Sequence, residues 1–167
     1  MTASFARLSS IALAAGFACA LAAPASAQTL TRKDLSLDGA LAIATQAIAT
    51  CKANGYAVSV TVVGRNGEVL VQLRGDGTGP HTMENSLKKA YTARTFRIAS
   101  GEMEKRLKDN PALGQAFLTN FTTGQGALPI KIGEEVVAAV GASGAPGGQR
   151  DEVCVKAGID KIADQLK

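Results

Sequence analysis

The 167-residue chain contains no tryptophan and a single histidine, His81. One histidine excludes a zinc site built on several of them, and any Ser-His-Asp triad would have to use His81. Five phenylalanines and two tyrosines leave little material for base-stacking platforms, which argues against single-stranded nucleic acid as a ligand. Charge of one sign is scarce too: 18 Lys and Arg stand against 14 Asp and Glu, a formal charge of +4. The length suits one domain.

The long apolar content is concentrated at the start. Met1 to Ala27 carries Arg7 and no acid, then an apolar run from Ile11 to Ala23, then Ala25-Ser26-Ala27. A positive start, an apolar stretch and a small-x-small site together read as a secretory signal peptide, residues 1–27, cleaved after Ala27. Gly16 and Pro24 interrupt the run, and it falls short of the roughly 20 apolar residues a membrane span needs. Lipid attachment at Cys19 is disfavoured because Gly16-Phe17-Ala18 lacks the branched apolar residue such sites prefer. Cleavage leaves 140 residues, 17 cations against 14 acids, and two cysteines, Cys51 and Cys154. The expected location is periplasmic or secreted, with no transmembrane segment after cleavage. An exported chain with an even pair of thiols invites a disulfide.

Residues 28–35 are expected to form a loose N-terminal arm before a domain spanning 36–167. Ser36 can cap a helix running to about Ala53, stopped by Asn54-Gly55, with Leu37, Leu41, Ala44, Ile48 and Cys51 as its apolar stripe. Ala57 to Val63 and Glu68 to Arg74 read as strands joined by the hairpin turn Asn66-Gly67. Val58, Val60 and Val62 share one face, with Val69, Val71 and Leu73 inward on the second strand. After the turn-rich Gly75 to Pro80, a helix is expected over Thr82 to Ala99. Its apolar side would hold Met83, Leu87, Ala90, Tyr91 and Ile98, and its polar side Lys88 and Lys89. Short helical pieces at Glu102 to Leu107 and Ala112 to Leu118 flank Pro111. Two further strands, Leu128 to Ile132 and Glu135 to Gly141, lead through the turn Gly144 to Gly148 to a last helix with the stripe Val155, Ile159, Ile162 and Leu166. This order does not alternate as βαβ units do; it describes an α+β domain, an antiparallel sheet covered by helices.

Several of these segments, taken in order, resemble the GlcG/HbpS family. They are Gly64-Arg65-Asn66-Gly67-Glu68 after a valine-rich strand, Lys89-Ala90-Tyr91-Thr92-Ala93, Leu128-Pro129-Ile130, and Gly141-Ala142-Ser143-Gly144-Ala145 followed by Asp151-Glu152 and Ala157-Gly158. The resemblance implies a profilin-like α-β-α sandwich with a five-stranded antiparallel sheet, assembly into homo-oligomers, and, in several members, haem binding or haem degradation. It also implies that the first and last helices pack antiparallel on one sheet face, where the thiols of Cys51 and Cys154 could meet. The alternative is two buried, unpaired thiols; the compartment favours the disulfide. In one respect the chain departs from the family. Gly126-Ala127 stands where Gly-Gly often precedes the Leu-Pro-Ile segment; alanine lacks glycine's backbone freedom, so close approach of a ligand at that loop is expected to be altered or absent.

The candidate haem contacts follow from the resemblance and from side-chain chemistry. His81, at the junction of a glycine-rich loop and a helix, is the first choice as an iron ligand. Tyr91 is the second, with Met83 and Met103 as further donors whose plainer role is core packing. Lys88, Lys89, Arg94 and Arg97 make one helix basic; Lys89 and Arg94 are candidates for haem propionates, and a solvated face is the simpler alternative. Export argues against nucleic acid as the partner of that basic helix. Thr119, Thr122 and Thr123 could line a polar wall, although loops use threonine routinely. Ser143 lacks the five-residue elbow of a hydrolase nucleophile, and Gly141 to Gly148 lacks a dinucleotide fingerprint. The expected function is an exported haem-binding protein for capture, storage or sensing, with slow haem degradation a further capacity. The alternatives are a binding protein or enzyme for a small organic acid or other metabolite, or a structural assembly module.

Overall fold

A computed structural model describes residues 29–116 and 120–167. The chain divides into Met1–Thr31 and a unit spanning Arg32–Lys167; the candidate signal peptide and Thr119 lie outside the described residues. The larger unit runs α1 (Leu37–Ala53), β1 (Ser59–Val63), β2 (Val69–Arg74), α2 (Thr82–Phe96), α3 (Ser100–Asp109), a 3-10 turn at Pro111–Ala116, β3 (Ala127–Ile132), β4 (Glu135–Ser143) and α4 (Gly148–Asp160). All strand pairs are antiparallel, in the order β2-β1-β4-β3. Pro129 lies in the edge strand β3, where a missing N–H is tolerated.

The α+β class holds, but the sheet has four strands among the described residues, not the five the resemblance implied. Backbone groups before β3 are satisfied elsewhere. The Thr122 N–H donates to the Thr92 hydroxyl, the Gly124 N–H to the Thr122 hydroxyl, and the Ser100 hydroxyl to the Gly124 carbonyl. A segment tied to the side chains of α2 and α3 has little left to offer a neighbouring strand.

The two faces of the sheet are built differently. Val58, Val60, Val62, Val140 and Ala142 form a core with α1 and α4. On the other face α2 packs over Val63, Ala127 and Ala139. Ser36 caps α1 as expected, its hydroxyl accepting from the Gly39 N–H at 3.1 Å. The buried stripe of α1 is rotated from the one periodicity suggests. Ala40, Ile43, Ala44, Ala47 and Cys51 are buried, whereas Leu37 is 63% and Leu41 46% exposed. Close helix contact selects the small residues: a Cβ on Gly158 of α4 would fall 2.5 Å from the Ile43 carbonyl oxygen. At this contact Cys51 and Cys154 form a disulfide, the pairing the sequence reading favoured over two free thiols.

The inner end of the expected loose arm is anchored. Arg65 donates to the Lys33 carbonyl and the Asp34 carboxylate, and Leu35 packs on the α1–α4 core.

Candidate ligand site along the second helix

The loop before α2 is held by its own hydroxyls. Thr78 Oγ1 donates to the Gly75 carbonyl at 3.1 Å, Thr82 Oγ1 donates to the Gly79 carbonyl at 2.7 Å, and Arg74 donates to the Thr78 carbonyl. These bonds fix His81 at the N-cap of α2. Its carbonyl accepts the Asn85 N–H at 3.0 Å, while its imidazole makes no capping bond and is exposed. The ring packs on Gly79, where a Cβ would come within 2.9 Å of Cε1.

The buried face of α2 carries a polar seam beside the apolar contacts of Ala90 and Ala93. Thr82, Ser86 and Lys89, spaced by four and three residues, all point at the sheet. Ser59 and Thr82 share a hydrogen bond of 2.7 Å, as do Thr61 and Ser86. Gln72 Nε2 donates to both the Thr61 hydroxyl and the Met83 carbonyl, and Asn85 Nδ2 donates to the Ser143 hydroxyl at 2.9 Å. That last bond ties α2 to the end of β4.

At the end of this seam Lys89, only 4% exposed, is buried with Asp151, only 2% exposed. Lys89 Nζ lies 2.8 Å from Asp151 Oδ2 and 3.0 Å from the Ala142 carbonyl oxygen; Asp151 Oδ1 accepts the Ala145 N–H at 3.0 Å. Burial pushes the Asp151 carboxyl above its ordinary value, against the opposing pull of Lys89 and the Ala145 N–H. The expectation that Lys89 lies on a solvated face or reaches a propionate is therefore corrected: its ammonium is spent on an internal carboxylate.

Gly126 completes this corner. Its φ of +128° suits glycine, and a Cβ there would sit 2.8 Å from Asp151 Cβ and 2.9 Å from Lys89 Nζ. The neighbouring Ala127 is fully buried; its methyl joins the α2 cluster and its N–H donates to the Ser100 hydroxyl. The methyl faces protein, not a ligand.

The opposite end of α2 gathers Tyr91, Arg94 and Arg97. Tyr91 packs against Phe121 with ring centroids 5.5 Å apart. Lys88 is paired with Glu84 on the outer surface at 2.6 Å. Met103 is fully buried and Met83 half-buried, in keeping with packing roles. At 1.5 Å per residue, His81 and Tyr91 stand about 15 Å apart along the helix, and His81 and Arg94 about 20 Å. The four candidate haem contacts thus separate: His81 at one end, Lys89 buried in the middle, and Tyr91 with Arg94 at the other end. His81 and Tyr91 of one chain cannot share an iron.

A cavity of about 490 Å³ flanks the same loop as His81 but on the α1 side. Ile48, Tyr56, Val58 and Leu73 form its apolar wall, with Lys52 and Arg74 beside them. Periodicity could not reveal this groove, because its residues come from three separate elements.

A family model described as haem-degrading protein, HbpS-like, matches residues 35–160. Among solved structures, HbpS is 35% identical, with a TM-score of 0.77 over 83% of this chain and 96% of that one. A double mutant of Streptomyces reticuli HbpS is 34% identical, with a TM-score of 0.77 over 86% and 97% of the two chains. A haem complex of PduOC shares the fold at 20% identity and a TM-score of 0.69, covering 77% of this chain and 94% of its own. No curated protein matches. The extent of the family match and the identity to HbpS agree with the order of elements: the chain belongs to the HbpS-like family.

Proposed function

We propose that this protein binds haem, outside the cytoplasm and as a homo-oligomer, and serves haem capture, storage or sensing. The observation that carries this reading is the family match across residues 35–160, joined by 35% identity to HbpS. PduOC, a haem complex on the same fold, supports it. Export is supported by the character of residues 1–27 and by the Cys51–Cys154 disulfide. Exposed Leu37 and Leu41 on α1 and Val153 on α4 supply apolar surface for association.

The residues present fit the group in part. Haem needs a donor to iron, apolar surface for its ring and cations for its propionates. His81 is an exposed imidazole with no hydrogen bond from its ring among the described residues. The groove across the loop adds an apolar wall, with Lys52 and Arg74 at hand for carboxylates. Haem would supply redox-active iron; the chain's part would be ligation by the exposed imidazole of His81.

Titrating the purified protein with haemin tests the reading. A shifted Soret band that saturates at a fixed ratio of haem to chain is the expected result. A featureless, non-saturating rise would overturn it.

A further inference from the structure

About 20 Å along α2 from His81 lies a second cavity, of about 370 Å³, walled by Arg65, Arg94, Arg97, Lys131, Glu134 and Glu135. We propose that it is a binding site for a compact oxyanion, a small carboxylate or phosphate, held by Arg94, Arg97 and Lys131.

The charges around the cavity are not equally committed. Arg65 is taken up by the carboxylates of Asp34 and Glu135 and by the Lys33 carbonyl. Glu68 accepts the Asn66 N–H in its own turn. Arg94, by contrast, has its Nε buried with no hydrogen-bond partner among the described residues. A buried donor without an acceptor is destabilising, the more so when it carries charge. Burial lowers the Arg94 pKa, and so do the like charges of Arg97 and Arg65, which Glu68 and Glu135 offset only in part. An anion would relieve both the missing acceptor and the repulsion.

Two backbone features bring the other cations in. Arg97 caps α2 in the left-handed conformation, φ 60° and ψ 33°, and is the one non-glycine residue at positive φ among the described residues. Glycine takes that cap without steric cost, whereas arginine there lines the cavity at the expense of backbone strain. Lys131 follows the register shift between Ile130 and Lys131, the kind of bulge that re-aims a side chain. Arg94, in the last turn of α2, and Arg97, at its C-cap, both line the cavity. The cavity volume admits a small acid or phosphate, and exposed Glu134 and Glu135 at its edge would repel a larger polyanion.

Isothermal titration of the full protein with inorganic phosphate and with malonate, at constant ionic strength in chloride, tests the site. Saturable binding of at least one anion is expected, and the anion preferred tells phosphate from carboxylate ligands. Arg97→Gly should weaken binding about tenfold or more while leaving the fold as stable or more stable, because glycine relaxes the cap. Lys131→Ala, at an exposed position, should weaken it as well. His81→Ala should leave it unchanged. Absence of saturable binding of either anion, or equal affinity in Arg97→Gly and the unsubstituted protein, would overturn the proposal.

Discussion

The two faces of the sheet solve the same burial problem with opposite chemistry. On the α1–α4 side, valines and alanines exclude water and the Cys51–Cys154 bridge ties the two helices. Across the sheet, α2 lies on hydroxyls, an amide and a buried ion pair. The first face is held by buried apolar area, where volume-conserving changes are tolerated best. The second is held by matched donors and acceptors, where each loss leaves a partner stranded. A helix seated in that way keeps one register, which fixes His81 at one end and Arg94 at the other.

The comparison breaks most visibly at the ion pair. Lys89→Ala should destabilise the fold by roughly 3–5 kcal/mol in urea unfolding, because Asp151 stays buried without its partner. The double variant Lys89→Met with Asp151→Leu should recover most of that loss. If the double variant were as damaged as the single one, the pair would be doing more than cancelling its own desolvation.

On the opposite face, replacing both Cys51 and Cys154 by Ala should cost about 2–4 kcal/mol, since the bridge closes a sequence separation of 103 residues. Reducing agent should lower the unfolding midpoint of the unsubstituted protein and leave that of the double variant where it is. The polar seam of α2 should not respond: haemin and anion titrations of the double variant should match those of the unsubstituted protein at temperatures where both are folded.

The smallest effect belongs to the rim. Bonding to Arg65 holds the Glu135 carboxyl below the ordinary glutamate value. The group therefore contributes stability above that ordinary value, and the contribution is lost as pH falls through the depressed one. Unfolding midpoints measured from pH 6 down to pH 3 should fall less steeply in Glu135→Gln than in the unsubstituted protein. The difference is small because the pair is solvent-screened.

Much of the apolar face was legible in the residues. The Asn66-Gly67 hairpin and the Ser36 cap appear where local chemistry places them, and Cys51 pairs with Cys154 as the helix packing implied by the resemblance favoured. Periodicity misjudged the helix faces because it scores apolarity alone. For α1 it weighed the large Leu37 and Leu41, whereas close packing against Gly158 required alanines. For α2 it favoured Met83, Leu87 and Tyr91, which end up half-buried, over Thr82, Ser86 and Lys89, which face the sheet. One signal could have found the seam. Ser59 and Thr61 alternate with Val58, Val60 and Val62, so the far side of β1 needed a covering helix that could return hydrogen bonds. Gly126 and Asp151 were beyond reach, since only the folded chain brings residues so far apart in sequence onto one lysine.

The separation of the two ends of α2 gives the most direct test of the central claim, haem ligation by His81. Haemin spectra should be recorded for His81→Ala and Arg94→Gln beside the unsubstituted protein. The account predicts that His81→Ala loses or alters the shifted Soret band while Arg94→Gln retains it. An unchanged band in His81→Ala, with its loss in Arg94→Gln, would contradict it and move the haem to the other end of the helix.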